Sequence, residues 1–131
     1  MDEIELNELS GRIIGAAIEV HRELGGPGLL ESVYEEALVH ELHLRGLRVE
    51  RQQSIPILYK GVKLATPLRL DMRVEGKVLV DEKAVTEWNP IFEVQLLTYL
   101  RLTGLKLGLI INFGERHVKS GIKRVVNGLE E

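Results

Sequence analysis

The spacing of apolar side chains in the first third of the chain predicts two helices. Over residues 5–24 they recur at intervals of three and four, with glutamate and arginine between them, as on an amphipathic helix. The glycine- and proline-rich run at 25–28 ends that helix. A second helix follows over about residues 28–45, and Gly46 closes it.

The period then changes to two, which predicts strands. Residues 48–59 are rich in β-branched and apolar side chains, and Pro56 within them is typical of an edge strand. Residues 67–74 alternate between apolar and charged side chains, and residues 78–85 form a further strand. The Glu-Gly-Lys sequence at 75–77 predicts the turn that joins these two strands into a hairpin.

The last third of the chain returns to a helix and then to strands. Asn89 is a suitable N-cap and Pro90 a suitable first residue for a helix that runs to about Leu102. The continuous apolar run at 107–113 predicts a buried central strand. Residues 118–126 favour a strand before a frayed end. This order predicts an α/β (α+β) fold with a mixed sheet flanked by helices.

The hairpin at 67–85 carries the most informative polar residues. If the loop has three residues, Val74 pairs with Val78, and Asp71 falls opposite Asp81. Because side chains alternate along a strand, Lys83 lies on the same face as the two aspartates. The other face holds the side chains of Met72, Val74, Val78, Val80 and Glu82.

Two carboxylates that face each other across a hairpin repel, because their Cβ atoms are only ~4.5–5.5 Å apart. One of them can hold a proton, or a hard divalent cation such as Mg²⁺ can bind between them. Lys83 could then orient a water molecule and offset charge on a phosphate. These are the parts of a metal-dependent phosphodiester hydrolase, although an exposed strand face with an ordinary Asp–Lys pair has the same pattern.

Three polar residues on the predicted helices add to this picture. Glu31 lies against the apolar stripe of its helix, where burial without a partner is costly. Gln95 and Tyr99 are four residues apart and face the same way. The alternatives are a first-turn acid that the helix dipole favours and a half-buried helix edge.

Composition limits the class of protein. A chain of 131 residues with 44% hydrophobic residues is predicted to form a single soluble domain over residues 1–131. It has no cysteine, which excludes disulfides, thiolate zinc sites and a cysteine nucleophile. Neither a secretory signal nor an apolar run of the ~20 residues that span a bilayer is present, so we expect a cytoplasmic protein without membrane contact. With a net charge of −3, any affinity for DNA should be local and salt-sensitive.

Several short motifs together resemble one known family. Residues 28–34 (GLLESVY) match the pattern Gly-x-x-Glu-x-x-Tyr, and RLD at 69–71, DEK at 81–83 and QLLTY at 95–99 follow it. Over residues 10–127 the chain resembles the GxxExxY family, which is placed in the PD-(D/E)XK nuclease-like superfamily. The resemblance implies a restriction-endonuclease-like core, α-β-β-β-α-β, preceded here by an extra N-terminal helix.

The resemblance also implies a site. Asp71, Asp81 and Glu31 match the acids that bind Mg²⁺ or Mn²⁺, and Lys83 matches the catalytic lysine of the superfamily pattern. Leu70 replaces the proline of that pattern, and Asp81 stands where many relatives carry glutamate.

Three functional hypotheses follow. The first is a metal-dependent nuclease that acts on DNA, with RNA left open as the alternative substrate. In it Gln95 and Tyr99, which match the Gln-x-x-x-Tyr helix of RecB-like nucleases, orient the substrate. The second is a catalytically silent module that binds nucleic acid or a protein, and the third is an enzyme for another phosphate ester such as a nucleotide. A homodimer is compatible with each of them, and no residue decides it.

Overall fold

Two packed helices precede the sheet. The computed structural model describes residues 2–129, so that Met1, Glu130 and Glu131 of the predicted domain lie outside the described residues. Helix α1 spans Glu3–Glu23 and helix α2 spans Glu31–Leu44. The second helix begins three residues later than predicted, because Gly28 has a φ of 119° and Leu30 is extended. In the described part of the chain, no helix has both the length and the apolar composition needed to cross a bilayer.

The sheet is mixed and lies between helices, as predicted. After α2 the chain forms, in order, β1 Val49–Ile55, β2 Leu58–Tyr59, β3 Val62–Lys63, β4 Leu68–Val74, β5 Val78–Lys83, α3 Ile91–Thr103, β6 Leu107–Asn112 and β7 Ile122–Val126. Five of the strands form one sheet in the order β1-β4-β5-β6-β7. Strands β5 and β6 are parallel, whereas the other neighbouring pairs are antiparallel.

Two predicted strands end earlier than their sequence pattern indicated. The strand predicted at 48–59 stops at Ile55, because Pro56 has no N–H for the ladder, and the following residues form the small β2–β3 ladder instead. The strand predicted at 78–85 stops at Lys83. There the side chain of Asn112 replaces the ladder: its Oδ1 accepts from the Val85 N–H at 3.0 Å, and its Nδ2 donates to the Val85 carbonyl at 3.1 Å.

The predictions for the last third of the chain are confirmed with two corrections. Helix α3 begins at Ile91, with Pro90 at the N-cap position, one residue later than predicted; the Asn89 side chain still accepts from the Ile91 N–H at 3.0 Å. Strand β6 is buried at every position, as a central strand should be. The tail is a strand only from Ile122, because Val118–Gly121 form a 3₁₀ turn.

Two apolar clusters cover the two faces of the sheet. One cluster joins α1 and α2 to the first face and includes Ile13, Tyr34, Leu42, Val74, Val80 and Leu109. The other joins α3 to the second face and consists of Leu68, Leu70, Leu79, Leu96, Leu100, Ile110 and Val125. Because both faces are covered, polar side chains on the central strands have little contact with water.

Near the middle of strand β4, the side chains switch from one apolar cluster to the other. Leu70 packs in the α3 cluster, whereas Met72 packs in the α1–α2 cluster, although residues two apart in a regular strand share a face. The regular pairing of β4 with β5 extends to Met72 and Val80, and Gln52 on the neighbouring strand has a φ of 49°. Asp71 therefore lies where the strand twists between the two layers.

Candidate active site

The hairpin register is the one that the sequence predicts. Val74 pairs with Val78 and Met72 with Val80, which places Asp71 opposite Asp81 one step further along. The two carboxyl groups lie close enough for Asp81 to act on the ionisation of Asp71.

Burial and repulsion raise the pKa of one member of this pair. The pKa of Asp71 is raised to about 7: desolvation by burial contributes most, Asp81 acts in the same direction, and the charge of Lys83 opposes them. A positive ion bound beside Asp71 would oppose these effects and favour its ionised form.

Lys83 is held against the same pair. Its Nζ lies 3.5 Å from Asp81 Oδ2 and 4.5 Å from the centroid of the Phe92 ring at the start of α3. The Lys83 side chain is only 18% exposed and that of Asp81 only 13%, so water screens this interaction weakly. The ring covers one side of the ammonium group and leaves it beside the carboxylates.

Helix α3 completes a small cavity over the pair. Asp71, Asp81, Lys83, Gln95 and Tyr99 all line this cavity of about 100 Å³. Five of the six residues predicted for the site are therefore brought together in space. Their roles in chemistry remain predictions.

Glu31 does not line this cavity. It is the first residue of α2, its side chain is exposed, and it lines a neighbouring concavity together with Asp71. Partial desolvation raises the pKa of Glu31, Lys83 lowers it, and the charges of Asp71 and Glu35 raise it further. Glu31 is thus electrostatically coupled to the predicted site without belonging to its tightest cluster.

A second acidic cluster lies on the α2 side of Asp71. One oxygen each of Glu35, Asp71 and Glu82 lies within 4.8 Å of the others, and in residues 2–129 this is the one set of three such side chains that meets that distance. Arg51 donates to Glu35 at 2.8 Å and Gln52 at 3.0 Å. Glu82 is fully buried, and desolvation holds the pKa of its carboxyl well above the usual range.

Glu35 and Glu82 are not among the residues that the sequence predicts for the site. The sequence does indicate that Glu82 is unusual. It alternates along the strand with Val78 and Val80, which are core residues, so an acid at this position is expected to be buried. Glu35 follows Glu31 by four residues and therefore shares its side of the helix. Their approach to Asp71 depends on the twist in β4, and no sequence period indicates that twist.

Tyr34 fixes the loop that places the start of α2. Its hydroxyl donates to the Gly26 carbonyl at 2.7 Å and accepts from the Leu29 N–H at 3.2 Å. Its ring stacks on Phe113 with centroids 4.6 Å apart, and His21 Nε2 donates to the Phe113 carbonyl. The tyrosine of the Gly-x-x-Glu-x-x-Tyr pattern is therefore a buried anchor that sets the position of the acids on α2.

We expect Tyr34→Phe to destabilise the protein by about 1–3 kcal/mol, because the Gly26 carbonyl and the Leu29 N–H lose their buried partner. Urea unfolding monitored by circular dichroism measures this change. The matched control is Tyr59→Phe at an exposed ring, which should leave the midpoint unchanged. Equal unfolding free energies for Tyr34→Phe and the wild type would contradict the anchoring role.

The end of β5 is anchored in a comparable way. Asn112 Oδ1 accepts from the N–H groups of both Val85 and Gly114 at 3.0 Å. A Cβ added at Gly114 would lie 2.3 Å from the Val85 carbonyl oxygen, so only glycine fits there. These contacts hold the chain directly beyond Lys83 and thereby position its ammonium group.

The site has the pattern of a metal-dependent nuclease: two aspartates lie where antiparallel strands separate, and a lysine follows the second by two residues. The sequence matches the profile of the PD-(D/E)XK nuclease superfamily over residues 7–125, and the chain belongs to that superfamily. Nucleases of this superfamily usually use divalent metal ions, and their substrates are nucleic acids. Comparisons with curated proteins and with solved structures found no significant match. The narrower resemblance to the GxxExxY family stays a prediction.

The donor set fits a hard divalent cation. The converging groups are all carboxylates, which are the ligands that Mg²⁺ and Mn²⁺ prefer. Neither oxygen of buried Glu82 has a hydrogen-bond partner, and such a carboxylate is costly unless a proton or a cation compensates it. The residues present thus suit a cation, whose identity they leave open.

Proposed function

We propose that this protein is a divalent-metal-dependent nuclease that hydrolyses phosphodiester bonds of DNA. The observation that supports this most strongly is the convergence of Asp71, Asp81 and Lys83 in one cavity at the point where β4 and β5 separate. Burial and the neighbouring Asp81 raise the pKa of Asp71, so this pair of acids is costly when both are ionised unless a positive charge compensates them.

Asp71 and Asp81 would hold the cation, and Glu31 would approach it from the neighbouring concavity. Burial and Asp81 raise the pKa of Asp71, and a cation bound there would favour its ionised form. A cation bound there would supply Lewis acidity at the phosphate and lower the pKa of a nearby water molecule.

Lys83 acts on the phosphate and on the attacking water. Its ammonium group is held by Asp81 at 3.5 Å and by the Phe92 ring, and it keeps donors that can reach a ligand in the cavity. A positive charge fixed in a poorly hydrated cavity stabilises the additional negative charge of a phosphoryl transition state.

Gln95 and Tyr99 position the substrate strand from α3. An amide and a phenol can both donate hydrogen bonds to phosphate or sugar oxygens, and both line the cavity that holds the aspartates. Arg69 lines the same cavity from an exposed position and adds positive charge for the phosphate backbone. With a net charge of −3, binding to DNA should weaken strongly as salt rises.

The direct test is cleavage of labelled oligonucleotides by purified protein. Single- and double-stranded DNA, the matching RNA and mononucleotides are each incubated with Mg²⁺ or Mn²⁺, and parallel reactions contain a chelator. Metal-dependent cleavage of DNA supports the proposal. Turnover of mononucleotides alone would indicate a different phosphate esterase. Metal-independent cleavage, or no cleavage of any substrate, would contradict the proposal.

We expect Lys83→Gln to lower kcat by about 10²-fold with little change in KM, because the lost charge acts mainly in the transition state. Steady-state cleavage of a DNA oligonucleotide with Mn²⁺ measures both constants. Lys77→Gln, at an exposed lysine in the turn of the same hairpin, is the matched control. If both variants lost the same small amount of activity, the lysine would act only through general electrostatics.

A further inference from the structure

Strands β2 and β3 form a short ribbon, residues 58–63, whose apolar side chains are exposed. The exposed fraction is 67% for Leu58, 60% for Tyr59 and 61% for Val62. Tyr59 pairs with Val62, so these two side chains share one face of the β2–β3 ribbon. A ladder of two residue pairs gains little stability from its own contacts, and apolar groups that it leaves in water indicate a surface that binds a partner.

The base of the β2–β3 ribbon is fixed on the side of the sheet that carries the predicted site. The Leu64 N–H donates to the Ile57 carbonyl at 2.9 Å, and Ile57 packs against the apolar cluster between the sheet and α3. Beyond the ribbon, β4 begins at Leu68, and Asp71 follows about 10 Å further along the extended strand. A strand of nucleic acid covers such a distance with a few nucleotides.

The tip of the β2–β3 ribbon presents a lysine beside an aromatic ring. Lys60 and Gly61 have φ angles of 49° and 81°, which define a two-residue turn that favours Asn-Gly or Gly-Gly. A lysine at the first of these positions adopts a backbone conformation that is uncommon for residues other than glycine. Its Nζ lies 5.5 Å from the centroid of the Tyr59 ring. The strained turn therefore places an ammonium group next to an exposed ring.

The charge of this segment favours an anionic partner. Residues 51–70 contain no acidic residue. The β2–β3 ribbon carries Lys60 and Lys63, and within residues 2–129 neither of them forms an ion pair. Arg69 continues the positive charge as far as the cavity of the predicted site, which it lines. A symmetric dimer through the ribbon would bring like charges together, whereas a polyanion complements them.

We propose that the β2–β3 ribbon is a substrate-binding arm, in which Tyr59 stacks on an unpaired base and Lys60 and Lys63 bind neighbouring phosphates. Every nucleobase has a flat aromatic face, so stacking selects single-stranded segments without reading a sequence. The two ammonium groups bind phosphates as point charges. This inference rests on the proposed function for the class of substrate. It adds the path of the strand along the protein and a preference for an unpaired segment over a perfect duplex.

The test measures the binding of labelled single-stranded DNA and of its duplex by fluorescence anisotropy over a series of salt concentrations. Binding is measured with a chelator and again with Ca²⁺. The variants are Tyr59→Ala for the ring and Lys60→Gln/Lys63→Gln for the charges, and Tyr59→Phe keeps the ring. Lys77→Gln, at an exposed lysine in the turn between β4 and β5, is the matched control. Circular dichroism verifies that each variant folds.

We expect the wild type to bind the single strand more tightly than the duplex. Tyr59→Ala should lower the affinity for the single strand by about 10-fold without changing its salt dependence. Lys60→Gln/Lys63→Gln should reduce the slope of log K against log salt by about 1.4, because each phosphate contact to a single strand contributes about 0.7. Tyr59→Phe should restore most of the affinity, and Lys77→Gln should bind as the wild type does.

Wild-type affinity in Tyr59→Ala, or an unchanged salt slope in the double lysine variant, would overturn this inference. So would equal binding of single strand and duplex, or no binding of DNA by the wild type. A dimer in sedimentation that Tyr59→Ala dissociates, with DNA binding unchanged, would show that a second copy of the chain covers the β2–β3 ribbon instead.

Cleavage of the same single strand with Mn²⁺ separates this inference from the proposed function. The ribbon variants should raise KM and leave kcat unchanged, because the ribbon contacts the substrate equally in the ground state and in the transition state. If the wild type bound DNA through the β2–β3 ribbon but cleaved no substrate, the nuclease proposal would fail and the binding arm would stand. Cleavage with a KM that neither Tyr59→Ala nor the double lysine variant changes would overturn the binding arm alone.

Discussion

Asp71→Asn should abolish metal-dependent cleavage while leaving the protein folded. The substitution keeps the size of the side chain but removes the negative charge that the proposed cation position needs. Loss of this charge stabilisation at a phosphoryl transition state is expected to lower kcat by on the order of 10³-fold or more. Single-turnover cleavage of a labelled DNA oligonucleotide with Mn²⁺ measures the effect, since product release does not enter the rate.

The same variant should lose activity without losing stability. Without a cation, Asp71→Asn should be at least as stable as the wild type at pH 8, because a neutral amide removes the cost of burying a charged carboxylate beside Asp81. Less activity together with unchanged or greater stability separates a functional acid from a structural one. If Asp71→Asn cleaved at the wild-type rate, the assignment of the site would be wrong. A parallel loss of stability and activity would point to a structural role.

Stability without a cation should fall as pH rises from 5 to 8, and Mn²⁺ should restore it most at pH 8. The pKa values of Asp71, Glu82 and Glu31 are raised by burial in the folded chain, that of Asp71 to about 7. In the unfolded chain these acids release their protons near pH 4. The folded state therefore binds more protons through this window, and the free energy of unfolding decreases with increasing pH.

Urea unfolding at pH 5, 6, 7 and 8, with chelator or with Mn²⁺, measures this slope. Acids with lowered pKa values, such as Glu19 and Glu75, act in the opposite direction, but their effect lies below pH 5. Because a cation replaces the protons, stabilisation by Mn²⁺ should grow from pH 5 to pH 8. The double variant Asp71→Asn/Glu82→Gln should show a flatter slope and little response to Mn²⁺. A free energy of unfolding that increases with pH in the wild type, or a wild type that Mn²⁺ does not stabilise, would contradict these expectations.

The parts of this site that follow from short-range rules could be predicted from the sequence. The glycine-containing turn at 75–77 and the alternation of apolar residues set the pairing of Val74 with Val78, and hence the opposition of Asp71 and Asp81. The helix period placed Gln95 and Tyr99 on one side of α3, and both line the cavity. These relations involve neighbours within one hairpin or one helix.

The parts that depend on long-range packing could not be predicted in this way. The change of face between Leu70 and Met72 arises from how β4 twists against its neighbours, and it brings Glu35 and Glu82 to Asp71. Asn112 ends an apolar run and was included in a strand, yet its amide terminates β5 by binding Val85. A sequence period reports the average environment of an element, whereas these contacts depend on single side chains from distant elements.

The measurement that tests the central claim most directly is a calorimetric titration of Mn²⁺ into the wild type and into the Asp71→Ala/Asp81→Ala double variant, each with and without a DNA oligonucleotide. The account predicts that the wild type binds Mn²⁺, that DNA tightens this binding, and that the double variant shows neither effect although it remains folded. Equal Mn²⁺ binding by the two proteins, or no binding by the wild type even with DNA present, would contradict a metal site built on this hairpin. The latter result would favour a catalytically silent binding module.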